Sequence, residues 1–167
     1  MTPTKIKLIA LDMDGTLLKN DHTVSEKNRQ TIKQAQQAGV TVMVSTGRPL
    51  MNCQDIVQSL ELSSYLITVN GSEIWDDKLN LLERTIIDVE HIDQMYKMAL
   101  KHDTHYWSST VGGVWNKTTT FPERINEHEW LKFGFDIEDD DIRQAITEEL
   151  VQNKALEITN SSLTKSR

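Results

Sequence analysis

Residues 8–16 read Leu8-Ile9-Ala10-Leu11-Asp12-Met13-Asp14-Gly15-Thr16: an apolar run, two aspartates two positions apart, then a glycine and a threonine. The run extends back to Ile6 with only Lys7 interrupting it, and a short stretch of this kind reads as a strand. The aspartates then fall at the carboxyl end of that strand, where open parallel sheets bind their ligands. Two carboxylates so placed can point into one crevice, one to attack and the other to handle a proton. Gly15 permits a tight turn with close backbone approach, and Thr16 can donate to a phosphate oxygen. The plain alternative is an acidic turn that only caps a strand. At roughly 5 to 7% usage per residue type, however, these four fixed letters arise by chance about once in a thousand chains of this size.

Working outward, Thr41 to Val44 and Leu66 to Val69 are two more apolar runs. Their lack of polar alternation predicts strands covered on both faces, as in a parallel sheet. Amphipathic stretches separate them, so the first 70 residues follow a strand, helix, strand, helix, strand rhythm. Ser25 can cap the first helix, which turns Ile32 and Ala35 inward and ends at Gly39. Pro49 suits the first turn of the second helix, and Ile56, Val57 and Leu60 give it an inward face.

After Asn70-Gly71 the pattern changes. Glu73 to Trp75 and Leu81 to Arg84 predict a hairpin across residues 76–80. A helix follows from about Asp88 to His102, with Val89, Ile92, Tyr96 and Ala99 on one face. His105 to Thr110 and Val114 to Thr118 flank Gly112-Gly113, a hairpin signal. Residues 122–130 are ambiguous, and Lys132 to Ile137 alternates like a strand. Asp139 or Asp140 can cap a helix that aligns Ile142, Ala145, Ile146 and Leu150, and Ala155 to Thr159 predicts a last strand. The expected division is a first domain over 1–84, a second over 85–160 and a tail over 161–167.

The 167 residues carry 18 Lys and Arg against 25 Asp and Glu, a net charge of -7. Such a balance gives no general attraction for nucleic acid or anionic membranes, so a bound phosphate must be held locally. No apolar run of about 18 residues and no basic-then-apolar leader is present. Cys53 is the only cysteine. A chain without disulfides or targeting segments is expected in the cytoplasm.

Three segments together resemble the haloacid dehalogenase-like phosphohydrolase superfamily, and within it the Cof-type branch of sugar-phosphate and nucleotide phosphatases. They are Lys7 to Leu18, Ser45-Thr46-Gly47-Arg48-Pro49, and Asn70-Gly71-Ser72. The resemblance implies an α/β fold: a Rossmann-like parallel core, here partial, with an inserted α/β cap. It implies that Asp12 is the nucleophile and forms an aspartyl-phosphate. Asp14 is then the general acid and base, and Mg2+ is held by the Asp12 side chain and the Asp14 carbonyl. Thr46 corresponds to the family's phosphate-binding hydroxyl, beside Gly47 and with Arg48 nearby as a substrate-binding or loop-ordering charge. Asn70 matches an Asn-Gly at the third strand end, and Leu17 to Thr23 matches a small flap. The expected substrate is a small phosphorylated metabolite.

The family also uses a lysine and an acidic Gly-Asp plus Asn-Asp motif, and the sequence contains no Gly-Asp dipeptide. Lys165 stands at a spacing reminiscent of the lysine motif, while the segment before it also resembles a last cap strand. The C-terminal half of the core is therefore expected to be absent, which makes a truncated relative that binds without turnover the competing reading. The first strand would then expose an apolar sheet edge open to self-association. Four other features invite bland readings. His102-Asp103-Thr104-His105 lacks a third metal ligand, and Glu138 to Asp141 suits a helix start. Trp107, Trp115 and Trp130 either line a substrate pocket or fill the second domain's core. Cys53 reads as a packed thiol.

Overall fold

The computed structural model describes residues 5–118, 121 and 124–159. The chain divides into two compact units between Ile86 and Ile87, two residues beyond the expected boundary.

The first unit contains β1 (Leu8–Leu11), α1 (Glu26–Gln37), β2 (Thr41–Ser45), α2 (Gln54–Gln58), β3 (Leu66–Thr68), β4 (Glu73–Trp75) and β5 (Leu81–Arg84). The strands form one sheet in the order β1-β2-β3-β4-β5. The first three run parallel, with Leu11 beside Val44 and Ser45 beside Ile67, so their carboxyl ends emerge together. The hairpin β4-β5 joins antiparallel to β3 and extends this sheet.

Local chemistry sets the element boundaries. Ser25 Oγ accepts from the Asn28 N–H at 3.1 Å at the start of α1, satisfying a backbone donor that the helix cannot. Gly39, at φ +79°, ends it in the left-handed conformation. Pro49 precedes one 3-10 turn, Leu50–Asn52, so α2 starts later and is shorter than the apolar spacing suggested. Met13, Ile32, Val42, Val44, Val57 and Leu66 are buried in a shared core.

One expectation for this unit needs correction. β1 is not covered on both faces: Leu8 is 53% exposed, and Ile6, two residues before the first residue of the strand, is 65% exposed. The reason is its edge position, with β2 as its only strand neighbour among the described residues. The first three strands are parallel as expected, and the expected hairpin joins them antiparallel, so the sheet as a whole is mixed. A buried network locks its antiparallel part, in which Glu73 accepts from Arg84 Nε and Nη2 at 3.0 and 2.8 Å. Thr68 Oγ1 donates to Glu73 at 3.1 Å and accepts from Trp75 Nε1 at 2.9 Å.

The second unit contains α3 (Val89–Lys101), β6 (His105–Thr110), β7 (Gly113–Asn116), β8 (Trp130–Asp136) and α4 (Asp140–Leu150). Its antiparallel sheet has the order β7-β6-β8. Ile92, Met95 and Trp130 are buried at its core, with Trp115, Phe133, Phe135 and Leu150 packed around them. Trp115 and Trp130 are thus core residues; Trp107 is not among them. Asp139 caps α4 by accepting from the Asp141 and Ile142 N–H groups.

Ala155 to Thr159 is not a strand. Asn153 Oδ1 accepts from the Ala155 N–H at 3.0 Å and the Asn153 carbonyl from the Leu156 N–H at 3.2 Å. This side-chain-supported turn competes with strand pairing, while Leu156 packs on the core. Ala145 is exposed rather than inward, leaving Ile146 as the buried residue of α4. Pro122, the tail over 161–167 and with it Lys165 lie outside the described residues. No helix among the described residues is long and apolar enough to cross a membrane.

Candidate active site

Asp12 is the first residue past β1. The loop after it turns back on itself: the Leu17 N–H donates to the Asp12 carbonyl at 3.2 Å and the Leu18 N–H to the Met13 carbonyl at 2.9 Å. Gly15 sits at φ +77°, a conformation glycine adopts without steric cost. Met13 and Leu17 are 0% and 4% exposed. These apolar anchors fix the loop from beneath and leave Asp12, Asp14, Gly15 and Thr16 on the surface. Leu18 and Val24 then form a single antiparallel bridge, closed by the Lys19 N–H donating to the Thr23 carbonyl at 2.9 Å. The expected flap is therefore a one-bridge loop.

The second and third strand ends are stitched to each other. The Thr46 N–H donates to the Ile67 carbonyl at 3.0 Å, the Asn70 N–H to the Thr46 carbonyl at 3.1 Å and the Val69 N–H to the Arg48 carbonyl at 3.1 Å. Val69 and Asn70 both have positive φ, 51° and 58°, and a β-branched residue in that region is strained. The interstrand hydrogen bonds hold the pair there. Thr46 is 3% exposed, and its Oγ1 accepts from the Arg48 N–H at 3.2 Å. Its hydroxyl proton remains to donate. Gly47 and Asn70 are exposed at the same edge.

Arg48 joins the second loop to the first. Its Nε donates to Asp14 Oδ2 at 2.8 Å and its Nη2 to Asp14 Oδ1 at 2.6 Å. The hydrogen bonds and charge of Arg48 hold the Asp14 carboxyl below the usual carboxylate range, because they favour its ionised form. His22 Nδ1, from the flap, lies 3.3 Å from Arg48 Nη2. The guanidinium has only donors, so this contact is a hydrogen bond when Nδ1 is unprotonated.

All seven residues singled out from the sequence lie on the loops at this sheet edge. The positive-φ pair at Val69-Asn70 and the His22 contact were not foreseen: no local pattern marks a valine for the left-handed region or links a flap histidine to a distant arginine. Elsewhere, Asp103 pairs with Lys117 at 2.7 Å, and Cys53 is 2% exposed with its thiol pushed up to about 11 by burial.

The donor set fits a hard divalent cation in part. Carboxylate and carbonyl oxygens are the ligands Mg2+ prefers, and this ion usually retains several waters. Asp12 and the backbone of Asp14 offer such oxygens, but no three His, Cys, Asp or Glu side chains among the described residues are grouped to hold a metal.

The family described as haloacid dehalogenase-like hydrolase matches residues 9–166. The chain is 57% identical over 159 residues to a 5-amino-6-(5-phospho-D-ribitylamino)uracil phosphatase, YcsE, of Bacillus subtilis, covering 95% of this chain and 63% of that protein. It is 38% identical over 85 residues to a second B. subtilis phosphatase of the same description, YwtE, covering 51% of this chain and 29% of that one. The chain thus spans less than two thirds of either relative. Among solved structures, the Bacteroides thetaiotaomicron phosphatase BT1666 superposes with a TM-score of 0.73 at 20% identity. That match covers 87% of this chain and 60% of the other, and shows a shared fold.

Proposed function

The chain belongs to the haloacid dehalogenase-like hydrolase family, and from that premise we propose that its first unit carries the phosphate-handling residues of an Mg2+-dependent phosphohydrolase. Its substrates are small phosphorylated metabolites, foremost the phosphate ester of a ribityl-substituted aminouracil, and it works through an aspartyl-phosphate. The observation that supports this best is the convergence of Asp12, Asp14, Thr46 and Asn70 at the ends of three parallel strands, tied together by backbone hydrogen bonds and the Arg48–Asp14 pair. The 57% identity to a phosphatase of that description supports the choice of substrate.

In this reading the Asp12 carboxylate attacks phosphorus, forming an acyl phosphate as the ester bond breaks. Asp14 protonates the leaving alcohol and later takes a proton from the water that hydrolyses the acyl phosphate. An ionised Asp14 suits the second task; the first requires it to gain a proton and loosen its hold on Arg48. The Thr16 and Thr46 hydroxyls and the backbone at Gly47 and Asn70 orient the phosphoryl oxygens. Mg2+, held by the Asp12 carboxylate and the Asp14 carbonyl, would offset the repulsion between carboxylate and phosphate. The acidic charge and the single buried thiol accord with a cytoplasmic protein.

The test is release of inorganic phosphate from 5-amino-6-(5-phospho-D-ribitylamino)uracil and from an aryl phosphate, with and without Mg2+. Mg2+-dependent release that is lost in Asp12→Asn supports the proposal. A monodisperse chain that binds the phosphate ester without releasing phosphate overturns it in favour of a non-catalytic phosphate binder. That second reading draws on the absence of a three-ligand carboxylate group among the described residues.

A further inference from the structure

The second unit's sheet has two faces of different character. Tyr106 and Phe133 lie on the α3 side: Tyr106 meets Tyr96 edge-on at 5.4 Å between ring centres and stacks on Phe133 at 5.8 Å. Strand alternation then puts Trp107, Ser109, Lys132 and Gly134 on the opposite face, with Trp107 directly across from Gly134 and Ser109 across from Lys132. Trp107 is the one tryptophan of that unit that stays outside its core.

Gly134 serves no turn. A Cβ at this position would lie 2.4 Å from Cε2 and 2.5 Å from Cζ2 of Trp107. The indole therefore lies against the backbone of β8 in a seat that only glycine leaves open. Lys132 Nζ is 4.9 Å from the centre of the indole ring, and Ser108 Oγ fixes the strand beneath by donating to the Lys132 carbonyl at 2.7 Å. Desolvation by burial pushes the Lys132 ammonium down in pKa. The face thus combines a flat aromatic surface with a half-buried cation that forms no ion pair among the described residues.

The geometry points to this face as a seat for a flat, carbonyl-bearing heterocycle of the uracil class, stacked on Trp107 with its carbonyl oxygens accepting from Lys132. The choice of ring rests on the function proposed above. An aliphatic ligand would leave the ammonium unanswered, and a bare phosphate would leave the indole unused. A planar ring rich in acceptors satisfies both. The lysine stem is flexible enough to turn its ammonium from the indole to the ligand's oxygens.

Calorimetric titration of the full chain with 5-amino-6-(D-ribitylamino)uracil, which carries no phosphate, tests the seat. Saturable binding is expected, weakened at least about tenfold in Trp107→Ala and Lys132→Met, as loss of a stacking surface implies, and largely kept in Trp107→Phe. Gly134→Ala is expected to weaken binding similarly by evicting the indole, with circular dichroism reporting whether each variant stays folded. Lack of binding by the unmodified chain, or equal affinity in folded Trp107→Ala and Lys132→Met, overturns the proposal. Binding of inorganic phosphate that depends on Lys132 but leaves ring binding undetected overturns it too. A chain that releases phosphate from the ester but does not bind the ring loses this seat and keeps its function. One that binds the ring through Trp107 yet releases no phosphate keeps the seat and loses the function.

Discussion

Arg48 grips Asp14 with two parallel hydrogen bonds, of 2.8 and 2.6 Å, across 34 positions of sequence. The pair ties the loop after β2 to the loop after β1, so it orders the site more than it stabilises the fold. Asp14 is 54% exposed on its side chain, and solvent screening limits such pairs to under about 1 kcal/mol. Arg48→Met is therefore expected to change denaturant stability by less than that while lowering phosphate release at least about tenfold through lost positioning. Arg48→Lys should not restore the rate, because an ammonium cannot reproduce the fork. Paired urea titrations and phosphate assays check both statements.

Asp12→Asn is expected to abolish phosphate release without unfolding the chain, since Asp12 is exposed and its carboxylate supports no part of the core. Unchanged turnover in this variant would remove Asp12 as the nucleophile.

Breaking the buried Glu73–Arg84 pair is a different matter. Glu73 is 4% exposed and accepts from both Arg84 and Thr68. Arg84→Met strands its carboxylate, and a loss of about 3 to 5 kcal/mol is expected. Thermal or urea unfolding of the variant measures it, and a change below about 1 kcal/mol would mean that solvent reaches the carboxylate.

The Cys53 thiol, buried and pushed up to about 11, holds its proton in the folded chain at pH values where an unfolded thiol, near 8.5, has lost it. Its contribution to stability is therefore complete below about pH 8.5 and declines as pH rises toward 11. In native buffer at pH 8, iodoacetamide should alkylate it at least about a hundredfold more slowly than a free thiol. Mass spectrometry of timed samples follows the reaction, and rapid labelling would show that the helix N-terminal region opens readily.

The exposed edge strand predicts self-association. Ile6 and Leu8 stand uncovered beside an edge of β1 that pairs with no strand among the described residues. Leu8→Lys is expected to raise the concentration at which light scattering detects association, with stability changed by no more than about 0.5 kcal/mol. Scattering that is independent of concentration in both proteins would show that the edge does not self-associate.

Much of this architecture was legible because the relevant signals are local. Ser25 and Gly39 delimit α1 by chemistry confined to a few residues, and Gly112-Gly113 announces the β6-β7 turn. The Asp12 to Thr16 letters fall at a strand end because the apolar run stops there. What escaped depends on distant partners. The exposure of β1 follows from strand order, which periodicity does not encode. The valine at φ 51° is held by hydrogen bonds from another loop. Ala155 to Thr159 has strand-like letters, but Asn153 closes a turn there first. Nothing in the letters around Gly134 marks it, because the indole that rests on it comes from the neighbouring strand.

β1 is four residues long and, among the described residues, has one hydrogen-bonded strand neighbour. Asp12 therefore inherits its position from an edge strand of the sheet, whose amides should exchange with solvent sooner than those of β2. A phosphate group held between Asp12 and Thr46 would fasten these two strand ends together from outside the backbone ladder. The ligand would then brace the sheet on which its own reaction depends, and slowed amide exchange along β1 would record its arrival.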